Sequence, residues 1–187
     1  MLVASHLPGN VPARGLKRHS RTLAHATHES LVQSYSARMA IVGFPDGTRV
    51  RASSISDRCV HDPGRTFGLY LDARWEPTWP ATVIDWEDVG LPENPELAAQ
   101  QIAEAFGRAR RGELVEVGCL GGSGRTGTVL ACMAVLAGVP PVEAVAWVRA
   151  SYRPEAVETA EQEAWVRWFA EWADAHPDAS ASHAGLR

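Results

Sequence analysis

Leu114-Val115-Glu116-Val117 runs without a break into Gly118-Cys119-Leu120-Gly121-Gly122-Ser123-Gly124-Arg125-Thr126-Gly127, and from there into the apolar stretch Thr128 to Ala137. A short β-branched run, a glycine-rich turn and a helical segment in that order make a strand-to-helix crossover. Such a turn can direct successive backbone N–H groups at one point, and the helix dipole adds partial positive charge there. The result is a cradle for a tetrahedral oxyanion.

The flanks of this crossover set the fold class. Upstream, Ala40-Ile41-Val42-Gly43-Phe44, the turn signal Pro45-Asp46-Gly47 and Thr48-Arg49-Val50-Arg51-Ala52 read as a β-hairpin. Further strands are expected at Phe67 to Leu71, Thr82 to Asp85 and Leu114 to Val117. Asn94-Pro95-Glu96 supplies a cap, a first-turn proline and a favourable acidic charge for a helix running towards Arg111-Gly112. Other helices are expected from Arg125 to Gly138, from Pro140-Pro141 to about Tyr152, and from Ala160 to Ala175. In the last, Trp165, Trp168 and Trp172 share one apolar stripe with Ala164 and Phe169, the pattern of a core face. Strands, a crossover and a helical C-terminal half imply an α/β domain with a single central sheet flanked by helices.

The 187 residues are 45% hydrophobic and 21% charged, a composition that supports a core without metals or disulfides. The longest apolar run, Val129 to Val139, falls short of the roughly 18 residues of a spanning helix, and no signal segment is read at the start. A soluble, cytoplasmic protein is expected. Residues 1–40 hold Arg14, Lys17, Arg18, Arg21 and Arg38 against Glu29, which leaves 13 basic and 21 acidic side chains, net −8, for residues 41–187. An acidic body argues against nucleic-acid and anionic-membrane partners. Cys59, Cys119 and Cys132 are odd in number and lack zinc-ligand spacing, so no disulfide framework, metal or cofactor is expected. Residues 1–38 have the composition of a disordered tail, with a transit peptide as the weaker reading and Met39 as a conceivable alternative start.

Three chemistries compete for the glycine-rich turn. As a Walker A loop, Gly124-Arg125-Thr126 has the ending, but Cys119 stands where the first glycine belongs and arginine replaces lysine. As a dinucleotide fingerprint, Gly122-Ser123-Gly124-Arg125-Thr126-Gly127 fits the local string; the acidic residue expected about 20 positions on is Glu143, which follows Pro140-Pro141 at a helix start rather than ending a strand. The third reading uses Cys119 and Arg125, which place a sulfur on the floor of the cradle and a guanidinium at its rim. Against all three stands a buried structural cysteine beside an incidental turn.

Cys119, Gly122, Gly124, Arg125 and Thr126 resemble the Cys-x-x-Gly-x-Gly-Arg-Thr signature of the cysteine-dependent protein tyrosine and dual-specificity phosphatases. The resemblance covers roughly Phe67 to Trp172. It implies a protein tyrosine phosphatase-like fold with a mixed sheet, a catalytic domain over residues 39–176 and a flexible tail at 177–187. It also implies Cys119 as nucleophile, and the backbone N–H groups of Leu120, Gly121, Gly122, Ser123, Gly124 and Arg125, with the Arg125 side chain, as the phosphate holders. Oriented N–H groups, a helix N-terminus and a cation all favour thiolate. A guanidinium holds two phosphoryl oxygens bidentately, as lysine cannot. Thr126 would donate to the departing sulfur. One departure is Gly118, where the family usually has histidine.

Upstream, Trp86-Glu87-Asp88-Val89-Gly90-Leu91-Pro92 is similar to the family's Trp-Pro-Asp loop, with Glu87 in place of proline. It implies Asp88 as the general acid, with Asp85 as rival and a solvated loop aspartate as the plain alternative. Downstream, Arg153-Pro154 and Gln162 look like the dual-specificity Arg-Pro…Gln segment, in which Gln162 positions the hydrolytic water; Thr159-Ala160-Glu161-Gln162 is equally a helix capping box. Arg153 either rims the pocket or pairs with a carboxylate. Cys132 reads as core, and Cys59 as a partner for oxidised Cys119.

The activity implied is a metal-independent phosphatase working through a phosphocysteine. Its substrate would be a phosphorylated protein or small phosphomonoester, with phosphotyrosine first and phosphoserine or phosphothreonine second. The absence of lysine from the loop disfavours phosphoinositides. A phosphate-binding module without turnover, and a rhodanese-like sulfurtransferase, remain as alternatives.

Overall fold

The computed structural model describes residues 40–54 and 65–181; the expectations for residues 1–38, Met39, Cys59 and the last residues lie outside it. Five strands, β1 (Ala40–Gly43), β2 (Arg49–Ser54), β3 (Phe67–Tyr70), β4 (Ala81–Val83) and β5 (Val115–Cys119), form one sheet in the order β1-β2-β5-β3-β4. The β1–β2 hairpin is antiparallel, whereas β2–β5, β5–β3 and β3–β4 are parallel, so the sheet is mixed. Gly47 takes φ +86 in the hairpin turn, where Asp46 Oδ1 accepts the Thr48 N–H at 3.0 Å. The strand expected at Thr82 to Asp85 ends at Val83, which leaves Asp85 in the following loop.

The helices are α1 (Pro95–Arg110), α2 (Gly124–Leu136), α3 (Ala144–Ser151), α4 (Ala160–Ala175) and the short α5 (Pro177–Ala181). Asn94 Oδ1 caps α1 by accepting the Leu97 N–H at 3.1 Å, with Pro95 behind it and Arg108 and Arg110 in the last turn. Pro140 and Pro141 form a turn rather than a helix start, so α3 begins at Ala144. In the segment expected as a tail, α5 packs on α1 and α4.

The central helix is α2, which contacts β5, α1, α3 and α4. From Val129 to Leu136 it is apolar on every side, as a helix buried all round must be, and Val129, Leu130 and Met133 are fully enclosed. Each such side chain contributes about 1.5–3 kcal/mol by burial. The Trp165, Phe169 and Trp172 stripe of α4 closes the core, while Ala164 and Trp168 lie at its edge. No helix among the described residues is long and apolar enough to cross a membrane.

Four strands share one direction, so Ser54, Tyr70, Val83 and Cys119 bring their chain exits to one edge of the sheet. The carboxyl ends of parallel strands are where open α/β sheets place ligands, and the glycine-rich turn leaves β5 there.

Candidate active site

Cys119 ends β5 and is 2% exposed. The chain turns back at once, so that the Gly122 N–H donates to Cys119 Sγ at 3.2 Å. Gly122 has φ +66, and a Cβ there would lie 2.8 Å from Ser53 O and 3.0 Å from Ser54 Cβ on the neighbouring strand. Conformation and space both demand glycine. The outer side of the turn is braced by the segment after α3: Tyr152 OH donates to Gly122 O, Arg153 Nη1 to Gly121 O at 3.3 Å, and Ser123 Oγ to Glu155 O at 3.4 Å. Arg153 thus rims the turn.

Gly118 has a packing explanation. A Cβ at this position would meet Ser53 Oγ at 2.7 Å and Trp75 Cζ2 at 3.3 Å, and Trp75 is fixed by stacking on Tyr70 at 3.9 Å between centroids. Trp75 and Ser53 occupy the volume a side chain at 118 would need.

Arg125 lies in the first turn of α2 and is 2% exposed. Its Nη1 donates to Leu71 O at 2.8 Å, Asp72 Oδ2 at 3.2 Å and Trp86 O at 2.6 Å. The opposite edge of the guanidinium, Nε and Nη2, has no hydrogen-bond partner among the described residues, although Nη2 stands 2.9 Å from Asp88 Oδ1 as an ion pair. Leaving buried donors unsatisfied is costly, so this edge is a place for an acceptor.

Asp72 is the carboxylate that aims Arg125. It is itself gripped by Arg74, Nε on Oδ1 at 2.7 Å and Nη2 on Oδ2 at 2.6 Å. Those hydrogen bonds, and the Arg125 charge behind them, outweigh desolvation and hold the Asp72 carboxyl at about 2. Sequence reasoning missed Asp72 and Trp75. The available signal was Asp72-Ala73-Arg74 just past a buried strand.

The Trp86–Pro92 loop is closed at its base by a bridge between Trp86 and Pro92 and by Trp86 Nε1 donating to Gly90 O at 2.8 Å. Trp86 is 1% exposed, whereas the Asp88 side chain is 63% exposed. Between Asp88 and Gly90, Val89 takes φ +54, an uncommon conformation for a β-branched residue. Asp88 reaches Arg125; Asp85 and Glu87 are exposed, and no side-chain contact of either with Arg125 occurs among the described residues.

Gln162 is fully buried. Its Oε1 accepts the Glu158 N–H at 2.8 Å and its Nε2 donates to Gly90 O at 3.5 Å, while Thr159 Oγ1 accepts its N–H at 3.2 Å. The helix cap is present, with the glutamine side chain reaching one residue farther back than a capping box requires. Thr126 Oγ1 is buried and has no hydrogen-bond partner among the described residues. Cys132 is enclosed in α2, and burial pushes its thiol up.

Several solved structures share this fold. Kinase associated phosphatase, crystallised with its catalytic-site cysteine replaced by serine, superposes with a TM-score of 0.60 at 15% identity, over 74% of this chain and 98% of that one. Tk-PTP superposes at 0.55 with 22% identity over the same shares. PTPMT1, solved with PI(5)P, superposes at 0.53 with 14% identity, over 68% of this chain and 94% of that one. The fold is the one these solved phosphatase structures share. No family model matches the sequence. The chain belongs to one sequence family with the uncharacterised protein MJECL20 of Methanocaldococcus jannaschii, with 39% identity over 111 residues, 52% of this chain and 71% of that protein.

Proposed function

We propose that the chain is a metal-independent phosphomonoesterase that works through a phosphocysteine, with protein phosphotyrosine as its first substrate class and phosphoserine or phosphothreonine as its second. The observation that carries this reading is the buried Arg125 guanidinium, pinned by Nη1 while its Nε–Nη2 edge has, among the described residues, no hydrogen-bond partner and only the Asp88 ion pair, in the loop that begins at Cys119.

In the first step the Cys119 thiolate attacks phosphorus. The S–P bond forms as the ester P–O bond breaks, and the leaving oxygen takes a proton from Asp88. The phosphoryl oxygens occupy the Nε–Nη2 edge, where Asp88 now rests, so substrate binding frees the acid for its task. In the second step Asp88 takes a proton from water, whose oxygen bonds to phosphorus as the S–P bond breaks, and inorganic phosphate leaves. Thr126, whose hydroxyl has no hydrogen-bond partner among the described residues, is assigned as donor to the departing thiolate, as in the phosphatases it resembles. Gln162 fixes the acid loop through Gly90 and from there can orient the water.

Leu120 and Ser123 fill positions where lysines would meet additional phosphates, which favours phosphoprotein over phosphoinositide. Phosphate release from an aryl phosphate and a phosphotyrosine peptide, measured in chelator, tests the reading. Activity that persists in wild type, vanishes in Cys119→Ser and falls further in Asp88→Ala than in Asp85→Ala supports it. A folded wild type that binds phosphopeptide without turnover overturns it.

A further inference from the structure

A cleft of about 510 Å³ abuts the acid loop. Leu91 of that loop, Pro95, Ala164, Trp165 and Trp168 make it predominantly apolar, and Glu96 and Glu161 stand at it from α1 and α4. Leu91, at the cleft, is 38% exposed. Trp165 is buried, yet its Nε1 has no hydrogen-bond partner among the described residues. A buried indole N–H without an acceptor is unusual.

The cleft is coupled to the catalytic side of the molecule. Trp165 packs edge-on against Trp86 at 5.1 Å, and Trp86 holds Gly90 O, the same carbonyl that Gln162 reaches from α4. Glu158, three residues before Glu161, lies against the Cys119 turn: a Cβ on Gly124 would sit 2.1 Å from Glu158 Oε2. Carboxylates therefore run from the turn, at Glu158, to the cleft, at Glu161 and Glu96. Neither Glu96 nor Glu161 is ion-paired among the described residues.

We propose that this cleft is a substrate-docking site for an apolar side chain flanked by arginine or lysine on the phosphoprotein. The inference rests on the phosphatase reading above and specifies its substrate. An apolar floor with convergent acidic groups selects that chemistry by burial and charge complementarity.

The test uses phosphotyrosine peptides in which a Leu-Arg pair is walked through each position on both sides of the phosphotyrosine, with an Ala-Glu series and a small aryl phosphate as references. Wild type is expected to cleave the best Leu-Arg peptide about tenfold more efficiently in kcat/KM than its Ala-Glu counterpart, a difference typical of one well-placed anchor. Trp168→Ala should abolish that preference through KM and leave aryl phosphate turnover unchanged. Glu96→Lys with Glu161→Lys should reverse the charge preference. Equal rates across the peptides, or equal losses on peptide and aryl phosphate in Trp168→Ala, would overturn docking while the phosphatase stands. If neither substrate is turned over, the phosphatase reading falls. Docking is then decided by titrating the unphosphorylated Leu-Arg peptide against tryptophan fluorescence, where a response lost in Trp168→Ala supports it and no response overturns it.

Discussion

The Cys119–Arg125 turn and the Trp86–Pro92 loop face each other across one ion pair, and they are built in opposite ways. The turn is part of the core: Cys119 and Arg125 are each 2% exposed, the sulfur accepts an N–H, and one guanidinium nitrogen spans Leu71, Asp72 and Trp86. The loop is held at its base by Trp86 and at Gly90 by Gln162, and carries Asp88 outward with its side chain 63% exposed and Val89 at φ +54. Rigid donors can be preorganised for an oxyanion before substrate arrives. A proton donor has to approach and withdraw with the leaving group, which suits an exposed segment. The division predicts large, uniform losses when the turn is altered, and losses that depend on the leaving group when the loop is altered.

Cys119→Ser should abolish turnover of every substrate, measured as phosphate release, because no thiolate remains to attack. Arg125→Lys comes next, with kcat/KM down about a thousandfold, since a lysine lacks the planar fork and leaves Leu71 O, Asp72 and Trp86 O poorly matched. Asp88→Asn should lower kcat about a hundredfold on an alkyl phosphate and much less on an aryl phosphate with an acidic phenol. Asp85→Asn should stay within about twofold on both. Equal losses in Asp88→Asn on good and poor leaving groups would break the comparison.

Asp72→Asn probes the link between the two halves and should cost about tenfold in kcat/KM, or about 1.4 kcal/mol, by releasing Arg125. The same carboxyl sets a pH signature. Held at about 2 by the Arg74 hydrogen bonds, against an ordinary value near 4, it contributes about 2 kcal/mol of stability that is fully present above about pH 4 and lost as pH falls through about 2. Thermal melts over that range should show a slope in wild type that flattens in Asp72→Asn. The smallest effect is at Val89. Replacement by glycine removes the left-handed strain and adds unfolded-state entropy, so stability should shift by less than about 1 kcal/mol, while a larger share of open loop lowers kcat.

The same contrast explains what could be read from the sequence. The hairpin, the crossover and α4 were legible because each is a local pattern: alternation around Pro45-Asp46-Gly47, glycines between a strand and an apolar helix, a capped aromatic stripe. Cys119 and Arg125 were legible because the turn that joins them is contiguous. Asp72 was not, because its role depends on β3 pairing beside β5, which no local spacing encodes. Gly118 was not explicable from its neighbours in the chain, because Trp75 and Ser53, which fill the space of a side chain there, come from elsewhere in the sequence. Gln162 was ambiguous in sequence for a physical reason: one side chain serves the α4 start and the Trp86–Pro92 loop together.

The central claim is that Cys119 becomes covalently phosphorylated during turnover. Rapid acid quench of wild type and Asp88→Asn mixed with an aryl phosphate, followed by mass spectrometry of the peptide carrying Cys119, measures this directly. The account predicts one phosphoryl group on Cys119, more abundant in Asp88→Asn, where loss of the base slows hydrolysis, and none in Cys119→Ser. Phosphate release in chelator with no phosphoryl group on Cys119 at any quench time would contradict it.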